Sequence, residues 1–187
     1  DYYNQIAEAI AMTDDNLMDK FFSGEEFSEN EVAHGLRIGV RNGDIRPVFA
    51  GSALNCLGIE RILDLISEYF PNYAEKGTVI AYDANNEEVM METNENEAFS
   101  AQVFKTIVDP FVGKISYIKV MSGVLTSDSQ IYNSNKEQLE KVNQIYIIKG
   151  KNQVAVGKLF TGDIGAVVKL QYTQTNDTLA TKAKPVH

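Results

Sequence analysis

One cysteine, two histidines and no tryptophan in 187 residues remove several chemistries at the outset. A lone Cys56 permits no internal disulfide and fits a reducing compartment. It reads as a small apolar side chain, buried or half-buried, with little support for a metal or nucleophile role. His34 and His187 lie far apart, and no C-x-x-C, H-E-x-x-H or G-x-S-x-G occurs, so neither a zinc site nor a nucleophile elbow is indicated. The phosphate-binding G-x-x-x-x-G-K-[ST] is missing too: Lys114, Lys151 and Lys158 follow or flank glycines without the second glycine or the hydroxyl residue. No apolar run approaches the roughly 20 residues that span a membrane. Residues 1–8 are not a basic segment followed by an apolar one, so no secretory signal is visible and a cytoplasmic location is the plain reading. The paired acids Asp14-Asp15 and Glu25-Glu26 fall at helix starts or in loops, where they serve the helix dipole and solubility rather than acid–base catalysis.

Charge is abundant but uneven. The net charge is −9, yet residues 1–75 carry −9, residues 76–97 carry −5 and residues 98–187 carry +5. Global acidity disfavours free-standing nucleic-acid binding, because phosphate is repelled. A mildly basic C-terminal module still suits RNA if a larger assembly positions it. Solvated surface is the plainer account of both charge blocks.

Residues 1–75 read as helical. Tyr3, Ile6 and Ile10 recur at helical spacing. Thr13 is a candidate N-cap for a helix with Leu17, Met18, Phe21 and Phe22 on one face, stopped by Gly24. Ser28 and Glu31 form an S-x-x-E capping box that opens a short helix burying Val32 and Leu36. Gly39 and Asn42-Gly43-Asp44 are turn signals. A buried strand is expected over 45–50, with Pro47 at an edge or start. A loop of small residues, 51–58, then leads into a helix with Ile59, Ile62, Leu63, Ile66 and Phe70 on one side, ended by Pro71. Strand, loop and helix in that order form the edge of an α/β domain.

Residues 76–97 read as a linker with a weak hairpin, strands at 78–82 and 87–92. From Ala98 the period changes to two. Phe99, Ala101 and Val103 alternate; Ile115, Tyr117 and Lys119 oppose Ile118 and Val120. Further strands are expected at 131–132, over 142–148, and through Ile164, Ala166, Val168 and Leu170. The predicted class is therefore α+β: a helical and α/β part over 1–75, then a closed antiparallel β-barrel or a sandwich over 98–187.

Two stretches carry a resemblance. One is Pro47-Val48-Phe49-Ala50-Gly51-Ser52-Ala53-Leu54, then Gly58-Ile59 and a helix ending Tyr69-Phe70-Pro71. The other is Asp109-Pro110-Phe111-Val112-Gly113-Lys114-Ile115, then Val120-Met121-Ser122-Gly123-Val124-Leu125, with Gly162-Asp163-Ile164-Gly165-Ala166 and Asn176-Asp177-Thr178-Leu179 further on. Together they resemble the elongation factor G family of translational GTPases: the end of the GTP-binding domain and the barrel that follows. The resemblance implies an internal piece of a longer protein.

It also implies that Ser52, Ala53 and Leu54 lie against the guanine base in the intact protein, and that GTP or GDP and magnesium are its cofactors. The GTPase elements N-K-x-D and D-x-x-G do not precede Gly51, so the intact protein is expected to be a GTPase and this chain alone is expected to hold no cofactor and to hydrolyse nothing. The implied partner is the ribosome, through small-subunit ribosomal RNA, with no membrane and no DNA. The implied role is movement of transfer and messenger RNA. Lys105, Lys114 and Lys119 are the docking candidates, although strand alternation makes ordinary outward-facing lysines an equal account. Asn55-Cys56-Leu57 and the neutral 150–156 depart from the family's usual charge, and Asn176 stands where glycine is common. A ribosomal-protection or release-factor-type paralogue, or a stand-alone β-barrel binding module, stays open.

Overall fold

In the first unit four helices of 8 to 14 residues follow each other, two of them opened by side-chain N-caps. The structure, a computed structural model, describes residues 2–187, and the chain divides into a unit ending at Asn72 and a unit Tyr73–His187. The first contains α1 (Tyr2–Ala11), α2 (Asp15–Phe22), α3 (Glu29–Asn42) and α4 (Ile59–Tyr69). The N-cap of α2 is Asp14, not Thr13. Its carboxylate accepts from the Asn16 and Leu17 N–H groups, at 2.9 and 3.4 Å. A carboxylate reaches two orphan donors and suits the dipole, whereas the Thr13 hydroxyl turns back to donate to Ile10 O at 2.7 Å.

The Ser28–Glu31 capping box forms as expected and opens a 14-residue helix that ends at Gly43, in the left-handed region at φ 81°. Gly39, which reads as a turn, lies inside α3. A Cβ there would sit 2.5 Å from the Ile45 side chain, and one on Gly35 would sit 2.5 Å from Ile10. Two glycines one helical turn apart let Ile10 and Ile45 touch the α3 backbone. That close packing replaces burial of Val32 and Leu36, which are only half-buried.

The strand expected over 45–50 does not form. A strand exists by its ladder, and the rest of this unit is helix and loop, so 45–50 has nothing to pair with. Val48 is consequently 92% exposed.

The second unit begins with a 3-10 turn at Tyr73–Lys76 and continues as β1 (Thr78–Tyr82), β2 (Glu88–Glu92), β3 (Ser100–Asp109), β4 (Gly113–Ser122), β5 (Val124–Thr126), β6 (Ser129–Asn133), β7 (Gln138–Val142), β8 (Ile145–Lys149), β9 (Asn152–Val156), β10 (Lys158–Phe160), β11 (Ile164–Val168) and β12 (Thr178–Ala180). Eight of these make one antiparallel sheet in the order β7-β6-β12-β3-β4-β11-β8-β9, with β5 and β10 paired separately. The sheet is curled, and among the described residues no ladder joins its edges β7 and β9. The β1–β2 hairpin buries Val79, Ala81 and Met91 against Ala180 and Val186.

One face of the sheet carries the core: Phe99, Ala101, Val103, Ile118, Val120, Ile131, Val142, Ile145, Val167 and Leu179, together with Leu125 of β5 and Leu159 of β10. Each fully buried aliphatic side chain contributes on the order of 2 kcal/mol of transfer free energy. The expected run 142–148 is broken by Asn143-Gln144, which ends β7 and starts β8. On β11 the core-facing residue is Val167. Ala166 and Val168 instead join Ile115 in a smaller cluster with Tyr146 and Ile148 on the other face, while Ile164 is exposed. Gly165 also faces inward, and a Cβ there would overlap the Leu159 side chain.

Candidate functional site

Residues 51–58 fold back on themselves just before α4. The Ser52 N–H donates to Leu57 O and the Leu57 N–H to Ser52 O, both at 3.0 Å. Inside that bracket, the Asn55 N–H donates to Ser52 Oγ at 3.3 Å. Gly51 allows the close approach, since a Cβ would stand 2.8 Å from Leu57 O. Gly58 adopts φ 77° as the α4 N-cap. Leu54 is 94% exposed. The Ser52 N–H is thus spent within the loop, while the Ala53 N–H has no acceptor among the described residues. Cys56 is exposed, against the reading of a buried apolar residue. It closes the turn on Ala53 O at φ 53°, and a tight surface turn leaves its side chain no core to enter.

The β3–β4 hairpin is set by its own residues. The Asp109 carboxylate accepts from the Phe111 and Val112 N–H groups at 2.8 and 2.9 Å, and the bonds from Val112 and Phe111 hold its pKa below the ordinary value. Gly113 takes φ 86°. Phe111 at the tip is 96% exposed. The later Ser122-Gly123 pair is structural. The Ser122 hydroxyl is within 2.7 Å of both Ser100 Oγ and Ala98 O, and a Cβ on Gly123 would meet Glu97 O at 2.6 Å.

The three lysines singled out from the sequence occupy different places. Lys105 is exposed on β3. The Lys119 ammonium lies 4.4 Å from the centre of the Tyr73 ring, a cation–π contact. Lys114 donates to Gln171 O at 3.1 Å. The structure does not gather them into one site. It instead brings Lys114 beside Lys169, whose N–H donates to Lys114 O at 2.8 Å.

Leu139, Glu140, Lys141, Asn143, Lys169, Gln171 and Tyr172 line one cleft of about 220 Å³. The Glu140 carboxylate accepts from the N–H groups of Gln171, Tyr172 and Thr173 and from the Thr173 hydroxyl. Sequence reading missed this cluster because its members are distant in the chain and meet only through the sheet order. Among the described residues no group of His, Cys, Asp or Glu is placed to hold a metal ion.

Residues 98–182 match the family described as elongation factor G domain 2. A crystal structure of a protein from Thermus thermophilus superposes with a TM-score of 0.75 at 25% sequence identity, covering 97% of this chain. This chain spans 24% of the length of that protein.

Proposed function

We propose that this chain, which belongs to the elongation factor G family of translational GTPases through its residues 98–182, is the piece of such a protein where the nucleotide-binding domain passes into the second domain. The observation that carries the reading is the order of parts. A strand-like segment without a ladder, a small-residue loop and an amphipathic helix precede a sheet domain of the matched family. We take the curled sheet to be that domain's barrel, with Glu140 tying edge strand β7 to the loop after β11.

The first unit supports the reading through what it leaves uncovered. None of the residues of α4 is fully buried, although Ile59, Ile62, Leu63 and Ile66 form one apolar face, and 48–50 lies exposed as single chain. Both fit a central sheet supplied by other parts of a GTP-binding domain. In that setting Ser52, Ala53 and Leu54 reach the guanine edge, and the free Ala53 N–H is the donor aimed at its carbonyl. The residues present fit the base edge and nothing more of the nucleotide. The triphosphate and magnesium need donors that this chain does not carry, so GTP chemistry belongs to the intact protein. A few hydrogen bonds of about 1 kcal/mol each do not retain a nucleotide.

The intact protein binds the ribosome in this reading, with small-subunit ribosomal RNA under the sheet domain, and promotes movement of transfer and messenger RNA in the cytoplasm. Among the described residues no helix is long and apolar enough to cross a membrane. The test uses the gene product that contains this chain: co-sedimentation with ribosomes and GTP hydrolysis stimulated by them. Absence of both sinks the proposal. The 187-residue chain alone should show no GDP heat in calorimetry.

A further inference from the structure

We infer that the open edge of β1 is a docking strand for the polypeptide that follows His187 in the longer protein: an extended segment, antiparallel to β1, paired through Ile80 and Thr78. This rests on the reading above of the chain as a piece of such a protein, and it names a surface that the reading leaves unassigned.

The first pair of that ladder is present. The Tyr82 N–H donates to His187 O at 3.0 Å, and the His187 N–H donates to Tyr82 O at 2.8 Å. Two residues that exchange both bonds form a hydrogen-bonded pair of an antiparallel ladder, and such a pair fixes the register. Each step from Tyr82 back toward Thr78 is matched by one step beyond His187. Ile80 therefore meets the second residue after His187, and Thr78 the fourth. The N–H and C=O groups of every other residue in a strand point to the same side. The Asp83 N–H donates to Glu87 O, and Gly77 O accepts from the Thr93 N–H, so the odd-numbered residues here turn toward β2. Thr78, Ile80 and Tyr82 turn their backbone groups the other way. On that side, among the described residues, Tyr82 alone has a backbone partner.

The side chains agree with this register. Val186 is buried in the cluster of Val79, Ala81 and Met91, whereas Ile80, on the opposite face of β1, is 59% exposed. Side chains alternate along a strand, so the first and third residues after His187 fall on the Val186 face. A groove of about 170 Å³ lies on that side, with Val79, Ala81, Gln102, Met121, Thr178 and Val186 among its walls. Chain ends fray unless something ties them, and here the tie is the edge itself. A third strand also strengthens a ladder that two strands make poorly. The occupant follows from the tether. A segment joined to His187 is held near β1 at an effective concentration in the millimolar range, which a free peptide or a second copy does not match. β1 is the first strand after the first unit, so one hairpin would hold both the chain arriving from that unit and the chain departing for the next.

Amide hydrogen exchange of the 187-residue chain, set beside that of the longer gene product, tests the inference. The Thr78 and Ile80 amides should exchange without protection in the first and about tenfold or more slowly in the second. Val79 and Ala81 should be protected in both, because they bond β2. Ile80→Pro removes an N–H that faces only the open edge. It should leave the thermal midpoint of the 187-residue chain nearly unchanged and strip the protection of Thr78 in the longer protein. If that variant fails to fold, the exchange rates of the two unmutated proteins decide alone. Equal exchange at Thr78 and Ile80 in both overturns the docking strand. So does protection that grows with the concentration of the 187-residue chain, since the occupant would then be a second copy. Ribosome co-sedimentation of the longer product separates this inference from the family role. Sedimentation with unprotected amides removes the docking strand and keeps the role. Protected amides without sedimentation keep the docking strand and remove the role.

Discussion

Glu140 on β7 accepts the Thr173 N–H at 2.9 Å across 33 positions of sequence. The same carboxylate takes the Thr173 hydroxyl and the N–H groups of Gln171 and Tyr172, and Thr173 Oγ1 in turn accepts from Asn133 Nδ2 on β6 at 3.1 Å. One acidic side chain thus satisfies a loop that would otherwise bury orphan donors. Removing it strands those donors, so Glu140→Ala should lower the unfolding free energy of this unit by about 2–4 kcal/mol. Glu140→Gln keeps one acceptor and should lose less. Urea melts followed on amide signals of residues 98–187 decide it, and an unchanged midpoint for the alanine variant would refute the role.

Gly123 should tolerate no side chain. Its φ of 67° disfavours any other residue, and a Cβ would lie 2.6 Å from Glu97 O and 2.7 Å from Phe99 N. Both obstacles are backbone, which cannot rotate away. Gly123→Ala should therefore cost about 2–4 kcal/mol, more than strain at a single turn residue explains. Gly150→Ala provides the comparison: φ is 61° but nothing lies within 4 Å of the added carbon. Thermal melts of the two variants should separate clearly, and equal losses would mean that crowding at Gly123 is unimportant.

What the sequence made legible was local chemistry. Alternation placed Phe99, Ala101 and Val103 in the core, and the Ser28–Glu31 box opened α3, because those signals depend on near neighbours alone. The misses need a partner that sequence does not show. Gly39 carries the same letter in a turn and in a helix pressed on Ile45. The face of β11 depends on register, and a one-residue shift exchanges Val167 for Val168. β5 and β10 are three residues each, too short to give a period. The 45–50 segment has strand composition and no ladder. The same limit applies to the candidate sites. Ser52 and Ala53 were visible because the loop is contiguous; Lys141, Lys169 and Tyr172 converge only once β7 and the chain after β11 are neighbours.

Acid should loosen the start of α3 before it unfolds the rest of that helix. The Glu31 carboxyl is lowered from 4.5 to about 2, first by the hydrogen bond from Lys20 and then by the Ser28 N–H and hydroxyl. A depressed folded-state value means the charged form supports the fold. That support is complete above about 4.5 and is lost as pH falls toward about 2. The group is solvent-exposed, so the effect belongs to the helix end and is weakened by salt. Amide exchange at residues 29–32 should accelerate over that window, and Glu31→Gln should already be fast at neutral pH and insensitive to acid there. Identical profiles for the two proteins would rule the box out as the cause.

The uncovered face of α4 gives the last expectation. Leu63 and Ile66 are 60% and 49% exposed on a helix whose spacing places them side by side with Phe70 beyond. Single exposed apolar residues are ordinary on any surface, but a stripe at helical spacing next to an unpaired strand-like segment is the mark of a face built to be covered. In isolation the 187-residue chain should therefore bind an apolar dye and self-associate as concentration rises. Leu63→Glu with Ile66→Glu should abolish both. Because neither side chain is buried, the exchange should change the unfolding free energy by no more than about 0.5 kcal/mol. If the chain is a piece of a longer protein, as proposed above, the same pair should be costly there, on the order of 3 kcal/mol or more, since two carboxylates would then enter a packed interface. Light scattering and dye fluorescence on the chain, set beside melts of the longer protein, test both halves. A double variant equally harmless in both contexts would mean that nothing covers this face.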